Sequence, residues 1–289
     1  MRLARLVSLA AALGLAAMFA HARDAAAAAI AYEGFAYGYG ELDGQAGGSG
    51  FGSAWNANTG STEVANPGTP LSYAGGSTLV SGGSQALRIT GNADNLAFRD
   101  LASSISSDEI FVSFLFRYDG VLENNDFGVL WHDNVSTGSH TDRPNLGIKG
   151  NRGDGSGMED VVARLQLAGS GQVYAVDLNA NETYFILGRL YKSTSGSGAA
   201  YDRFDIWVDP TAGASGTPDL TASGTGSISG FDTIGIRTAN IDASDTFWID
   251  ELRYSTSFAS AIVPEPSTAV LLAGGLAVLA CGPLHRRRR

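Results

Sequence analysis

Two carboxylates on one face of a β-strand can cleave a glycosidic bond, one as nucleophile or base and the other as acid. This is the first chemistry to look for in a chain with 29 Asp and Glu and a single cysteine. In Asp205-Ile206-Trp207-Val208-Asp209 the two aspartates share a strand face, but Asp209 precedes Pro210, which favours a turn and a structural or solvent-facing role. Asp250 and Glu251 are adjacent and therefore point to opposite faces. Nucleophilic triads fare no better. His132 and His140 are accompanied by no Gly-x-Ser-x-Gly elbow. Trp131-His132-Asp133, at a strand end, has two readings: it lines a groove, or Trp131 enters the core while His132 and Asp133 turn outward. Cys281 lies in an apolar run near the C-terminus, so the body of the chain has no thiol or disulfide chemistry.

The elements that would position these groups are strands. Glu109 to Tyr118 is dominated by aromatic and β-branched residues and predicts a central strand buried on both faces. Residues 31–37, 86–90, 96–99, 127–132, 145–149, 161–168, 172–178, 183–192, 202–208, 231–237 and 246–254 predict further strands, with 86–90 and 96–99 reading as a hairpin. Gly38 to Gly60 is a long glycine-rich loop pinned by Phe51 and Trp55, and 64–84 reads as turns. Without a helical period or an internal repeat, the expectation is an all-β, two-sheet antiparallel sandwich of jelly-roll type over residues 30–258. Between residues 24 and 263 the chain has 12 Lys and Arg against 28 Asp and Glu, a formal charge of −16. So acidic a surface argues against nucleic acid or anionic lipid as partner.

Both ends read as addresses. Arg2 and Arg5 precede the apolar run Leu6 to Ala20, and Ala20-His21-Ala22 matches a cleavage site, giving a signal peptide over residues 1–22. At the other end, Pro264, Glu265 and Pro266 stiffen the chain ahead of an apolar, uncharged helix over 268–284. That helix would be about 25 Å long, slightly short for a bilayer. Arg286 to Arg289 follow and favour the cytoplasmic side. This order over 263–289 resembles the PEP-CTERM sorting signal of exopolysaccharide-producing Gram-negative bacteria. The resemblance implies recognition of Pro264, Glu265 and Pro266 by an exosortase-type membrane protease, transient residence in the inner membrane, and delivery to the cell envelope, cell surface or extracellular matrix. An ordinary single-pass anchor is the alternative.

A second resemblance spans residues 31–258. Tyr32-Glu33-Gly34-Phe35, the segments 201–210 and 231–237, and Phe247-Trp248-Ile249-Asp250-Glu251-Leu252-Arg253 look like laminin-G/concanavalin A-like sandwiches. That architecture hosts lectins, hydrolases and inert modules alike. Its glycosidase signature, Glu-x-Asp-x-x-Glu, does not occur here. The resemblance implies a structural Ca²⁺ where first and last strands meet, with Glu33 and Asp250 as ligands and hard oxygen donors completing the shell. Carbohydrate contact would need exposed aromatics, for which Trp55 and Trp131 are the candidates, with Tyr37, Tyr39 and Tyr73 beside loops. Trp207 and Trp248 lie in strand patterns and are expected in the core. The expectation is a non-enzymatic exported envelope or exopolysaccharide-matrix protein. A lectin-like module that binds extracellular polysaccharide is the alternative, and a polysaccharide-degrading enzyme comes third.

Overall fold

Strand-forming residues recur from Ala31 to Ser255, and the polar, glycine-rich stretches between them form turns. A computed structural model describes residues 29–262 apart from 77, 91–94, 122–125, 135–141, 151–158, 167–171, 197 and 212–215. Two antiparallel sheets pack face to face. In spatial order the first contains β16 (Leu220–Ser223), β15 (Arg203–Val208), β14 (Thr183–Tyr191), β9 (Glu109–Asp119), β18 (Thr246–Ser255), β7 (Ala86–Thr90), β4 (Thr62–Ala65) and β2 (Gly40–Glu41). The opening strand β1 (Ala31–Glu33) also pairs with β18, Ala31 opposite Tyr254 and Glu33 opposite Leu252. The second sheet runs β13 (Gln172–Leu178), β12 (Glu159–Arg164), β11 (Asn145–Gly150), β10 (Phe127–Asp133), β17 (Phe231–Ala239), β8 (Asn95–Ile105) and β3 (Asn56–Ala57). The chain is thus an antiparallel all-β sandwich whose first and last strands meet, as the sequence leads one to expect.

The core lies between the sheets. Phe114, Phe116, Phe247 and Ile249 from the first face Leu130, Leu146, Ile148 and Ile236 from the second, each burial being worth about 1.5–3 kcal/mol. Strand β9 is central and buried on both sides. Ile110, Val112, Phe114 and Phe116 enter this core, while Phe111 and Leu115 enter a second cluster on the outer side of the first sheet. That cluster, which holds Trp207 and Trp248, is covered by the hairpin β5 (Ser72–Gly75) and β6 (Thr78–Ser81) and by the short helix α1 (Phe258–Ile262). The ring of Phe258 stands edge-on to Phe111 and Trp207, and Ser113 Oγ donates to Ala261 O at 2.7 Å.

Two expectations fail here. Residues 86–90 and 96–99 are no hairpin, because β7 pairs with β4 and β18 in one sheet while β8 pairs with β17 and β3 in the other. The chain crosses between sheets at this point. Residues 64–84 hold strands as well as turns: β5 and β6 pair with one another, and their local polarity hid them. The signal peptide and the segment 263–289, with Pro264, Glu265 and Pro266, lie outside the described residues. Among the described residues no helix is long and apolar enough to cross a membrane.

Candidate functional site

The outer face of the second sheet follows from strand alternation. With Leu130 and His132 turned into the sandwich, Phe127, Val129, Trp131 and Asp133 point outward. The registers then set a row across the sheet. Gly235 and Asn145 flank Trp131, and Arg164 stands opposite Asn145. Gly235 is what lets the indole lie flat, since a Cβ there would stand 2.0 Å from Trp131 Cζ2. Beside this row, Asp133 is opposite Thr233, whose hydroxyl donates to Asp100 Oδ1 at 3.1 Å. Apolar support comes from Phe127, Val129 and Val162, with Tyr174 packed against them.

Around Trp131 the polar groups are partly paired. Asp133 is buried, and its Oδ1 accepts from Arg143 Nε and from the Asn134 amide, each at 2.6 Å. Asn145 Nδ2 donates to Arg143 O at 2.8 Å. The Arg164 guanidinium stands over the Phe127 ring at 5.9 Å and hydrogen-bonds Tyr174, and desolvation lowers its pKa from the usual arginine range. Three buried atoms here, Trp131 Nε1, Asp133 Oδ2 and Arg164 Nε, have no hydrogen-bond partner among the described residues. Buried polar atoms are nearly always satisfied, so such a group calls for a water or a ligand. Together they offer two donors and one acceptor, which suits hydroxyl groups, since these both donate and accept. Arg143, with 26% of its side chain exposed, links the cluster to solvent.

Trp131 and Asp133 are therefore outward and His132 inward, which for the tryptophan and the histidine reverses the reading that put Trp131 in the core and His132 outside. His132 Nδ1 lies 3.0 Å from Pro144 O and Nε2 lies 3.0 Å from Tyr254 Oη. A carbonyl only accepts, so the proton sits on Nδ1 and the tyrosine donates to Nε2. Burial lowers the imidazole pKa to about 4.

The other expected site residues have structural neighbours instead. Trp55 is 2% exposed and Trp131 0%, so neither presents a bare face for a sugar to stack on. Phe35 stacks on Trp55, whose Nε1 donates to Glu33 at 3.2 Å. Glu33 does not act with Asp250 as a cation ligand here. Its carboxylate accepts from Arg99 Nη1 at 2.7 Å, from the Phe35 amide at 2.9 Å and from the Tyr37 hydroxyl as well as from Trp55. Those donors occupy the lone pairs a calcium ion would need, and Arg99 neutralises the charge. Asp250 is buried beneath Gly82, its Oδ1 accepting from the Glu251 amide at 2.8 Å. Burial first, then the nearby Glu251 carboxylate, raises its pKa to about 8, so it keeps its proton near neutrality. Among the described residues no group of three His, Cys, Asp or Glu is arranged to hold a metal ion. Asp205 is held by Arg189 and Thr221, and Asp209 accepts from the Phe185 amide at 2.7 Å.

Comparison with solved structures finds distant likenesses. The chain is similar to the VIP36 exoplasmic/lumenal domain in a Ca²⁺/Man3GlcNAc-bound form, with 14% identity, a TM-score of 0.43, and 71% of this chain and 92% of that one covered. It is similar to a carbohydrate esterase from the Shiga toxin-encoding bacteriophage phi24B, at 13% identity and a TM-score of 0.46 over 71% of this chain and 91% of that one. The globular domain of T. cruzi calreticulin is likewise similar, at 12% identity and 0.45 over 78% and 90%. No family model and no curated protein matches the sequence. Likeness at this level concerns layer architecture, and sandwiches of this kind carry many activities.

Arg99, Arg143, Asn145 and Arg164 were missed from sequence. The available signal was an arginine directly after an apolar run, as in Val161-Val162-Ala163-Arg164, since a strand rarely buries a guanidinium without a purpose.

Proposed function

We propose that this protein is an exported, non-catalytic carbohydrate-contacting module whose binding is centred on the outer face of the second sheet, at Trp131, Asp133, Arg143 and Arg164. The observation that carries the reading is the set of unpartnered buried atoms Trp131 Nε1, Asp133 Oδ2 and Arg164 Nε. Two donors and an acceptor beside an aromatic ring match a sugar hydroxyl pair in kind; Trp131 and Asp133 are fully buried, and the partly exposed Arg143 is where such a hydroxyl would meet the cluster. The reading does not route through a cation, because Glu33 is engaged by Arg99. A catalytic role finds no support in the carboxylates: Asp205 is paired with Arg189 and Asp250 is buried.

Binding of the purified chain to a glycan array, followed by calorimetry on the best binder, tests it. Asp133→Asn and Arg164→Ala each remove a charge-assisted hydrogen bond worth about 1.5–3 kcal/mol, so affinity should fall about ten- to a hundredfold. Unchanged affinity in both variants overturns the assignment. Release of reducing ends from a bound polysaccharide overturns the non-catalytic reading.

The delivery route belongs to the same proposal. Residues 1–22 export the chain and 263–289 hold it at the inner membrane until an exosortase-type protease acts near Pro264, Glu265 and Pro266. Replacing Glu265 with Ala should leave the precursor in the membrane fraction, and normal release of that variant would refute the route.

A further inference from the structure

Three connections at one end of the sandwich converge on an open polar cleft of about 690 Å³, lined by Ser106, Asp108, Lys192, Gly196, Gly198 and Ser229. Its volume is that of a small-molecule site. Its chemistry is not that of the usual apolar pocket, since no lining side chain is apolar.

The cation at its wall is built in. Lys192 follows β14 directly, and its side chain is only 3% exposed. Nζ donates to Ser106 O at 2.8 Å and stands 4.9 Å from the centre of the Tyr201 ring. The walls are tied together: Lys192 N donates to Asp108 O at 2.9 Å, and Tyr201 Oη donates to Ser107 O at 2.8 Å. Asp108 Oδ1 lies 4.0 Å from Nζ, too far for a direct hydrogen bond, and half of that side chain is exposed. The two thus form an ion pair without a direct hydrogen bond, and Nζ keeps donors beyond the one given to Ser106 O. Gly196 and Gly198 open the opposite side, where a Cβ would meet nothing within 4 Å.

We infer that this cleft binds a neutral, hydroxyl-rich ligand, a saccharide unit, with one hydroxyl accepting from Lys192 and its neighbour donating to Asp108. An apolar ligand would meet walls that are mostly polar. An anion would gain from Lys192 but meet the Asp108 carboxylate, and a cation would meet the reverse. A vicinal diol satisfies both groups at once. This extends the carbohydrate reading to a second place on the molecule, separate in its residues from the face around Trp131.

The purified full-length chain is titrated with maltose, cellobiose and lactose, and with galacturonic acid as the anionic probe, by saturation-transfer NMR and calorimetry. Asp108 and Ser229 are exposed, so Asp108→Asn and Ser229→Trp leave the fold intact while removing the acceptor and filling the cleft. At least one neutral disaccharide should bind, and at least tenfold more weakly in each of these variants. Tighter binding of galacturonic acid than of every neutral probe, or tighter binding in Asp108→Asn, overturns the neutral-ligand assignment. Binding that survives both cleft variants but is lost in Arg164→Ala overturns the cleft and leaves the outer-face reading standing. Binding of no probe overturns the cleft assignment outright.

Discussion

Glu33 Oε2 lies 2.7 Å from Arg99 Nη1 with both side chains buried, and the pair joins β1 of the first sheet to β8 of the second. Phe51, 4.2 Å from the guanidinium to its ring centre, and Trp55 cover the arginine. The carboxylate expected to serve a cation thus serves as an internal clip between the two sheets.

Breaking one side of that clip leaves an uncompensated charge in the interior. Arg99→Met should cost about 3–5 kcal/mol, seen as a lower denaturant midpoint at unchanged m-value. Adding Glu33→Gln to Arg99→Met should recover a large part of the loss, since the neutral amide no longer needs a counter-charge.

Asp250 predicts a stability that falls with rising pH. Its folded pKa of about 8 lies above the ordinary 3.8, so the folded protein keeps a proton the unfolded chain loses between those values. The contribution is complete below about pH 3.8 and declines toward pH 8 by at most about 1.4 kcal/mol per pH unit. Asp250→Asn should therefore raise the Tm at pH 8 relative to wild type by more than at pH 4. Parallel Tm curves across that range would contradict the assignment.

His132 acts in the opposite direction. Its folded pKa of about 4 lies below the ordinary 6.5, so its contribution is complete above pH 6.5 and is lost as pH falls toward 4. Ring NMR should show an imidazole that remains neutral and protonated on Nδ1 at pH 5. An imidazole titrating near pH 6.5 would mean that the Tyr254 and Pro144 contacts do not form in solution.

Gly235 is the support of the outer-face site. With Gly235→Ala the new methyl collides with Trp131 Cζ2 and displaces the indole. Overpacking of this sort costs about 1–3 kcal/mol. Tryptophan fluorescence should shift, and glycan affinity should drop along with it; a drop in stability with unchanged affinity would separate Trp131 from binding.

Period-two alternation and polar turns were enough to read the sandwich from sequence, and the density of aromatic and β-branched residues in Glu109–Asp119 was enough to read its central strand. Crossings between the sheets were not legible. The step from Thr90 to Asn95 looks like a hairpin because turn composition reports a reversal without naming the partner. The site was legible only as the triplet Trp131-His132-Asp133. Its other members, Arg143, Asn145 and Arg164, come from β11, β12 and the connection before β11, and become neighbours only through strand register.

By itself the sequence determined that the chain is strand-built, acidic, free of disulfides in its body, and flanked by two segments that read as addresses, because composition and local periodicity are properties of single segments. Tertiary structure alone decided which face each strand turns to the core. Strand β10 is buried from Phe127 to Asp133 on both sides, so no polar alternation betrays its phase. The same holds for partners far apart in the chain: Glu33 could serve calcium or arginine equally well until the sheets brought Arg99, 66 residues away, within hydrogen-bond distance.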